Sequence, residues 1–441
     1  MPDVIVAGGG LAGMAAAVAL ASAGRRVTLF ESRGFLGGRA SSFPLAPAEP
    51  GSETIDNCQH ILLRCCRNLL DFYRRIGVED HIRFHREFYF LEPGGRLSTL
   101  TAGRLPAPLH LAGSFSRIPF LSAGAKLAIL RALVAVRREY GRRQDLDRIT
   151  MLDWLREKDQ PADAISRFWR PVLVSAVNSE LGVMAAGHGL QVFRLAFLGG
   201  AASHEMGVPA VPLGKLYECL ARGTEDRLKV RLRSPVDRIW LDGGAVAGVD
   251  VLGERLRADY YVCALPFDRL GAVAPGLDLD LSAFRHSPIT GIHLWFDRAI
   301  TELPYAALLD RTIQWLFNKA GGRYVHVVVS ASASLAAMSQ NQVIDLALGE
   351  LAEFFPRVRE AALERARVIK EVRATFSPEP GLESLRPGAR TAFENLSLAG
   401  AWTRTGWPST MEGAVRSGYL AAEAATGAMG SPCGFLLRDP A

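Results

Sequence analysis

Three glycines near the start have the spacing of a phosphate cradle. Gly8, Gly10 and Gly13 stand as G-x-G-x-x-G in Asp3-Val4-Ile5-Val6-Ala7-Gly8-Gly9-Gly10-Leu11-Ala12-Gly13. An apolar strand precedes them and a helix follows, through Met14 to Ala21 and stopping near Gly24. A second strand, Arg26 to Phe30, ends on Glu31. This is the βαβ order of a dinucleotide site. Gly8 permits the tight turn, Gly10 lets a pyrophosphate approach the backbone, and Gly13 lets the helix pack on the sheet. Free N–H groups and the positive end of the helix dipole serve the phosphates. Glu31 is placed to accept hydrogen bonds from a ribose diol.

A second glycine pair, Gly37-Gly38, runs straight into Arg39-Ala40. That suits a cofactor lying extended beyond the first βαβ unit, which points to FAD rather than NAD. Further on, Asp56-Asn57-Cys58-Gln59-His60 sets a polar cluster between apolar residues, an arrangement that makes sense when the polar groups point at something.

These groups need a large frame. The chain of 441 residues is long enough for two domains. Its net charge is +6, with a local excess at Arg131, Arg137, Arg138, Arg142 and Arg143. No compact basic-aromatic array accompanies it, so nucleic acid is not an expected partner. An anionic membrane surface is the better candidate. With the first strand entered at Asp3, no leader is expected, and with no long uninterrupted apolar run no transmembrane helix is expected. The expected location is the cytoplasm, either free or peripheral at the inner face of the plasma membrane. The six cysteines fit no zinc pattern and no metal is expected.

A Pro-rich loop, Phe43 to Gly51, leads to the polar cluster, and an amphipathic helix follows through Asn68 to Tyr73. Phe88–Leu91 and Arg96–Leu100 read as a hairpin around Pro93-Gly94-Gly95. Leu105 to Val136 is broken in its first half by Pro106, Pro108 and Pro119 and is helical in its second. Two readings stand for it: a core helix behind a loop, or an apolar flap on a bilayer with basic residues at the headgroups. Helices follow to about 200, with Thr150 as an N-cap and Asn178 as a buried amide. Gly207 to Gly214 has the punctuation of a domain crossing. A helix from Lys215 to Arg222 and strands ending in Tyr260–Cys263 return to the nucleotide domain. Strands 291–296, 313–317 and 324–329 carry His293 and His326, and the helix Asn341 to Phe354 covers them. The last strand, Leu396 to Trp402, opens into a helix rich in small residues, including Gly413, Ser417 and Gly418. The expected class is thus α/β and α+β: a Rossmann-like FAD-binding domain (1–80, 207–283, 385–441) interleaved with a substrate domain of mixed sheet and helices (81–206, 284–384).

Taken together, the head motif, Gly37-Gly38-Arg39 and the final strand-turn-helix resemble the flavin amine oxidase and phytoene desaturase superfamily. Asp56 to His60 with Cys65-Cys66, and Phe168-Trp169-Arg170-Pro171-Val172-Leu173 with Asn178, are similar to squalene-associated desaturase-like enzymes. The resemblance implies that Gly8, Gly10, Leu11, Ala12, Gly13, Glu31, Ser32, Gly38, Arg39 and Ala40 hold the ADP half and phosphates. It implies that Val236 meets the adenine through its backbone and that Gly400, Ala401 and Met411 lie along the rest of the cofactor. Gln59 and His60 are implied to lie near the isoalloxazine. Ala401 stands where the family has an acid, and Cys58 where it has glycine.

The implied activity is reductive dehydroxylation of hydroxysqualene to squalene in bacterial hopanoid synthesis. Its substrate would be a long-chain isoprenoid. His60 is suited to protonate the departing hydroxide, with Asp56 holding it; support of the flavin loop is the other reading of His60. Trp169, Phe193, Phe197, Trp295, Trp315 and Phe317 suit a polyene pocket or simple core packing. Oxidative alternatives are a carotenoid desaturase or an amine oxidase, the latter using an aromatic pair such as Trp402 and Trp407. A flavin- or lipid-binding carrier is the non-enzymatic alternative. With only one nucleotide fingerprint, the electron donor is left unspecified.

Overall fold

The computed structural model describes residues 3–46, 52–221 and 227–440. Residues 47–51 of the expected Pro-rich loop lie outside that range. So does Arg222; the described helix there is Leu213–Ala221.

The strand Val4–Ala7 is buried at every position. It forms the centre of a parallel sheet, between Val27–Phe30 and Tyr260–Cys263, with Leu228–Arg231 and Leu396–Leu398 at the edges. Strands without a polar face are what a parallel sheet covered on both sides requires. Three helices matter below: α1 (Leu11–Ser22), α2 (Ala123–Glu139) and α3 (Met411–Ala428). The sequence of α1, LAGMAAAVALAS, has no charged stripe, as befits a helix enclosed all round. The small residues of α3 let it cross α1 at backbone distance. A Cβ on Gly418 would sit 2.2 Å from the Ala12 carbonyl oxygen.

A second, mixed sheet has seven strands. They run in the order Leu363–Phe376, His286–Phe296, Tyr324–Ser330, Trp315–Ala320, Tyr305–Leu308, Glu87–Leu91 and Leu97–Thr101. The last two are the hairpin expected around Pro93-Gly94-Gly95. Neighbours are antiparallel except Tyr305–Leu308 beside Glu87–Leu91. The parallel sheet thus draws on residues 4–30, 228–263 and 396–398, and the mixed sheet on 87–101 and 286–376. Between them, Met206–Pro209 pairs with both Leu62–Leu63 and Ile82–His85. A Rossmann-like α/β unit interleaved with a mixed-sheet α+β unit is the result.

The helical stretch after 150 packs on the mixed sheet. Thr150 caps it, its hydroxyl accepting the Asp153 N–H at 3.1 Å. Asn178 is a satisfied buried amide in the left-handed region (φ 55°). It donates to the Ser287 carbonyl and the Thr375 hydroxyl and accepts from the Ala331 N–H. Two π-turns, Ile165–Trp169 and Phe193–Phe197, bring the Trp169 and Phe193 rings to 4.5 Å.

Candidate active site

The crevice begins where Val4–Ala7 ends. No side chain caps α1 and no acid lies in its first turn, so the N–H groups of Leu11, Ala12 and Gly13 are left for an anion. Gly13 packs so closely that a Cβ there would lie 1.9 Å from the Gly8 carbonyl oxygen. A Cβ on Gly10, by contrast, would project into the crevice, where the nearest described atom is the Gly38 Cα at 3.9 Å. Gly10 and Gly37 form a parallel bridge, which draws the second glycine pair against the first. Glu31 is buried. One carboxylate oxygen accepts the Gly9 N–H at 2.8 Å, and the other accepts the Arg33 N–H and the Ser32 hydroxyl. The Ser234 N–H donates to the Glu31 carbonyl at 2.8 Å, placing Val236, the first residue of the next strand, beside the ribose acid. Ala40 is buried and bonds back to the Gly37 carbonyl. An uncapped helix end over an open glycine floor, with a fixed carboxylate at its side, fits the ADP half of FAD.

At the far end, the Gly400 N–H donates to the Ser417 hydroxyl at 2.8 Å. Met411 opens α3, whose cap Thr410 takes the Gly413 N–H on its hydroxyl and the Ala414 N–H on its carbonyl. The loop between them is held by Arg386, a residue that the sequence alone did not mark. Its buried guanidinium donates to the carbonyls of Ala401 (2.9 Å), Thr403 and Trp407 (2.8 Å), and it pairs with Glu383 at 2.6 Å. Burial pulls the Arg386 pKa down and Glu383 opposes it. Arg39 lies mostly covered, its guanidinium on the Ala374 carbonyl at 3.1 Å. Burial lowers its pKa, with Glu371 and Asp268 opposing.

Between these ends the polar cluster comes together, with two corrections. Asp56 does not hold His60. One Asp56 oxygen accepts the Ser42 hydroxyl (2.7 Å) and the Leu213 N–H (2.9 Å), and the other faces the Lys319 ammonium at 3.5 Å. His60 instead sets Nδ1 against the Cys58 carbonyl at 3.0 Å. A carbonyl only accepts, so Nδ1 carries the proton and Nε2 of the neutral ring carries a lone pair. Burial lowers the His60 pKa, outweighing the Cys58 carbonyl and Asp56. His60 is therefore an acceptor at neutral pH, not the proton donor its type suggested. Burial pushes the Cys58 thiol up to about 12, so it is no nucleophile.

Lys319, unmarked in the sequence, donates to the Gln59 side-chain oxygen at 2.9 Å. His293 and His326 also join. They face each other across antiparallel strands, with ring centroids 3.8 Å apart, and His293 Nδ1 meets the Tyr324 hydroxyl at 2.7 Å. Burial takes His293 down to about 4. Burial and then the neighbouring His293 keep His326 well below the imidazole range. The mirrored runs His293-Leu294-Trp295 and Tyr324-Val325-His326 were the available signal.

Trp169, Phe193, Trp315 and Phe317 share one apolar cluster with Cys58, Phe88 and Phe115, and Phe197 packs against it. Trp295 does not belong there. It stacks on Tyr324 at the margin and reaches Glu53. Trp402 and Trp407 lie in separate clusters, with their indole N–H groups on the Leu265 carbonyl and Asp439, so they do not form an aromatic pair.

A glycine-turn nucleotide unit, a second helix end beyond it and a polar cluster against an aromatic wall define an FAD-dependent oxidoreductase. The flavin containing amine oxidoreductase family matches residues 11–426, and the chain belongs to that family. It is similar to a hydroxysqualene dehydroxylase of Zymomonas mobilis, 27% identical over 435 residues that cover 95% of this chain and 98% of the relative. It is also similar to a 15-cis-phytoene desaturase of Synechococcus elongatus, 24% identical over 459 residues that cover 96% and 95% respectively. A putrescine oxidase solved with putrescine shares the fold, with TM-score 0.71 at 17% identity, covering 96% of this chain and 98% of that one.

Proposed function

We propose that the enzyme reduces hydroxysqualene to squalene. The observation that carries this reading is the likeness to a hydroxysqualene dehydroxylase over nearly the full length of both chains. The aromatic row supports a long apolar substrate. From Phe88 it passes to Phe197 (6.2 Å), Phe193 (5.3 Å), Phe168 (5.6 Å) and Phe115 (5.6 Å).

A reduced flavin held by the glycine turn, Glu31 and the start of α3 would supply the hydride chemistry at the carbon that loses oxygen. The chain does the rest. The aromatic wall excludes water and offers π faces to an allylic carbon that turns positive as the C–O bond opens. His60 Nε2 accepts a hydrogen bond from the substrate hydroxyl and so orients it. The departing hydroxide needs a proton, and the Lys319 ammonium, steadied by Asp56 and Gln59, is the group here that carries one to give. Oxygen leaves as water, and Lys319 is reprotonated from solvent.

The likeness to a phytoene desaturase favours a second reading, in which a related polyene is oxidised instead. An anaerobic single turnover separates the two. Photoreduced protein is mixed with detergent-dispersed hydroxysqualene, and flavin absorbance and extracted product are followed. Reoxidised flavin with an equal amount of squalene is expected. A flavin that stays reduced beside intact alcohol would overturn the assignment.

A further inference from the structure

The chain's charge imbalance is matched by one stretch of sequence. Residues 102–138 hold Arg104, Arg117, Lys126, Arg131, Arg137 and Arg138 and no Asp or Glu, a formal +6 that matches the net charge of the whole chain. α2 occupies the second half of this stretch. It buries Ala125, Ile129, Ala132 and Val136. Its other side leaves Leu127 50%, Leu130 47% and Val134 50% exposed. At helical spacing these three share a face with Arg131 and Arg138. Leu105 and Leu109, on the loop before it, are 54% and 56% exposed. Lys126 ties the segment's two halves together by donating to the Ser116 carbonyl at 2.8 Å.

A helix facing water ordinarily turns mixed charges outward. Here exposed leucine and valine alternate with arginine, and the one acid of α2, Glu139, is taken up by Arg143 and Lys158. A second copy of the chain would set this all-basic face against itself. An anionic lipid surface satisfies both features, with phosphates for the arginines and an acyl boundary for the leucines. Just beneath, buried Phe115 ends the aromatic row that leads inward to Phe88.

We propose that the outer face of α2, with Leu105 and Leu109, seats in the plane of an anionic bilayer. The contact opens the aromatic row to lipid-dissolved substrate. Docking is read without turnover, so it stands or falls separately from the dehydroxylase assignment.

The test is sedimentation of the flavin-loaded protein with vesicles of phosphatidylcholine alone or mixed with phosphatidylglycerol. Wild type binds the anionic vesicles, less so as salt rises. Leu127→Ser/Leu130→Ser/Val134→Ser weakens that partition at least about tenfold. Arg131→Gln/Arg137→Gln/Arg138→Gln removes the preference for phosphatidylglycerol. Unchanged flavin content and circular dichroism show that both variants fold. A Val134→Cys protein carrying an environment-sensitive fluorophore should shift to the blue on anionic vesicles. Partition that ignores lipid charge, or that the serine variant leaves intact, overturns the proposal. So does a wild-type dimer that the serine variant turns into monomer, which makes the face a self-interface.

Discussion

At the nucleotide end of the crevice the working groups are backbone. Leu11, Ala12 and Gly13 offer N–H groups, Gly10 offers empty space, Gly38 packs against it, and one carboxylate, Glu31, is tied down by neighbours in the same βαβ unit. Around His60 the working groups are side chains from distant places. Lys319 reaches Gln59 and Asp56 across 260 and 263 residues of chain, and His293 meets His326 only because two strands pair in one register. The first region tolerates almost no added atoms. The second tolerates change in shape but depends on charge and tautomer. On the proposed function, binding is built into the closest-packed part of the fold, and reaction choice into a cluster that can be altered residue by residue.

That contrast predicts a ranking. The largest effect belongs to the helix crossing behind the nucleotide end. Gly418→Ala puts a Cβ against the Ala12 backbone, which cannot move without opening the phosphate floor. A loss of more than about 3 kcal/mol and of bound flavin is expected from thermal unfolding and flavin absorbance. Gly271→Ala, whose Cβ meets no described atom within 4 Å, is the control and should stay within about 0.5 kcal/mol of wild type. Arg386→Met comes next. It strands four buried carbonyls, those of Ala401, Trp402, Thr403 and Trp407, together with Glu383, and should cost about 3 kcal/mol and weaken flavin affinity. Arg386→Lys should recover only part, because an ammonium cannot fork across the loop.

Smaller effects sharpen the cluster's side of the comparison. His293, held near 4 when folded and near the ordinary imidazole value when unfolded, binds its proton first in the unfolded chain as pH falls. Its contribution is therefore present above the ordinary value and fades as pH drops toward 4. His293→Gln should flatten the acid limb of a urea-midpoint profile by about 1–3 kcal/mol. The smallest change is expected from His60→Gln. Losing an orienting acceptor should slow turnover about three- to tenfold with flavin retained. A drop of about a hundredfold or more would restore His60 as the acid.

How much was legible follows from the same contrast. The glycine turn, Glu31 and the second glycine pair sit within forty consecutive residues, so spacing alone carries them. The small residues of α3 also read directly as a place of close approach, though they serve different neighbours: Gly418 the α1 backbone, Gly413 the Pro408 carbonyl and Ser417 the Gly400 N–H. Lys319 could not be read, because nothing in Phe317-Asn318-Lys319-Ala320 says which loop it faces. Arg386 lies only 15 to 21 residues from the carbonyls it binds, yet its inward turn is a tertiary fact. His60 was legible as a residue near the site but not as a tautomer, which the Cys58 carbonyl decides.

The division between binding and reaction is tested most directly in Lys319→Met. Flavin per protein and the single-turnover rate of photoreduced protein with hydroxysqualene are measured on the same sample. Full flavin content with product formation slowed at least about a hundredfold is predicted. Lost flavin, or a rate per bound flavin equal to wild type, would contradict the assignment of the proton to Lys319 and with it the separation of the two regions.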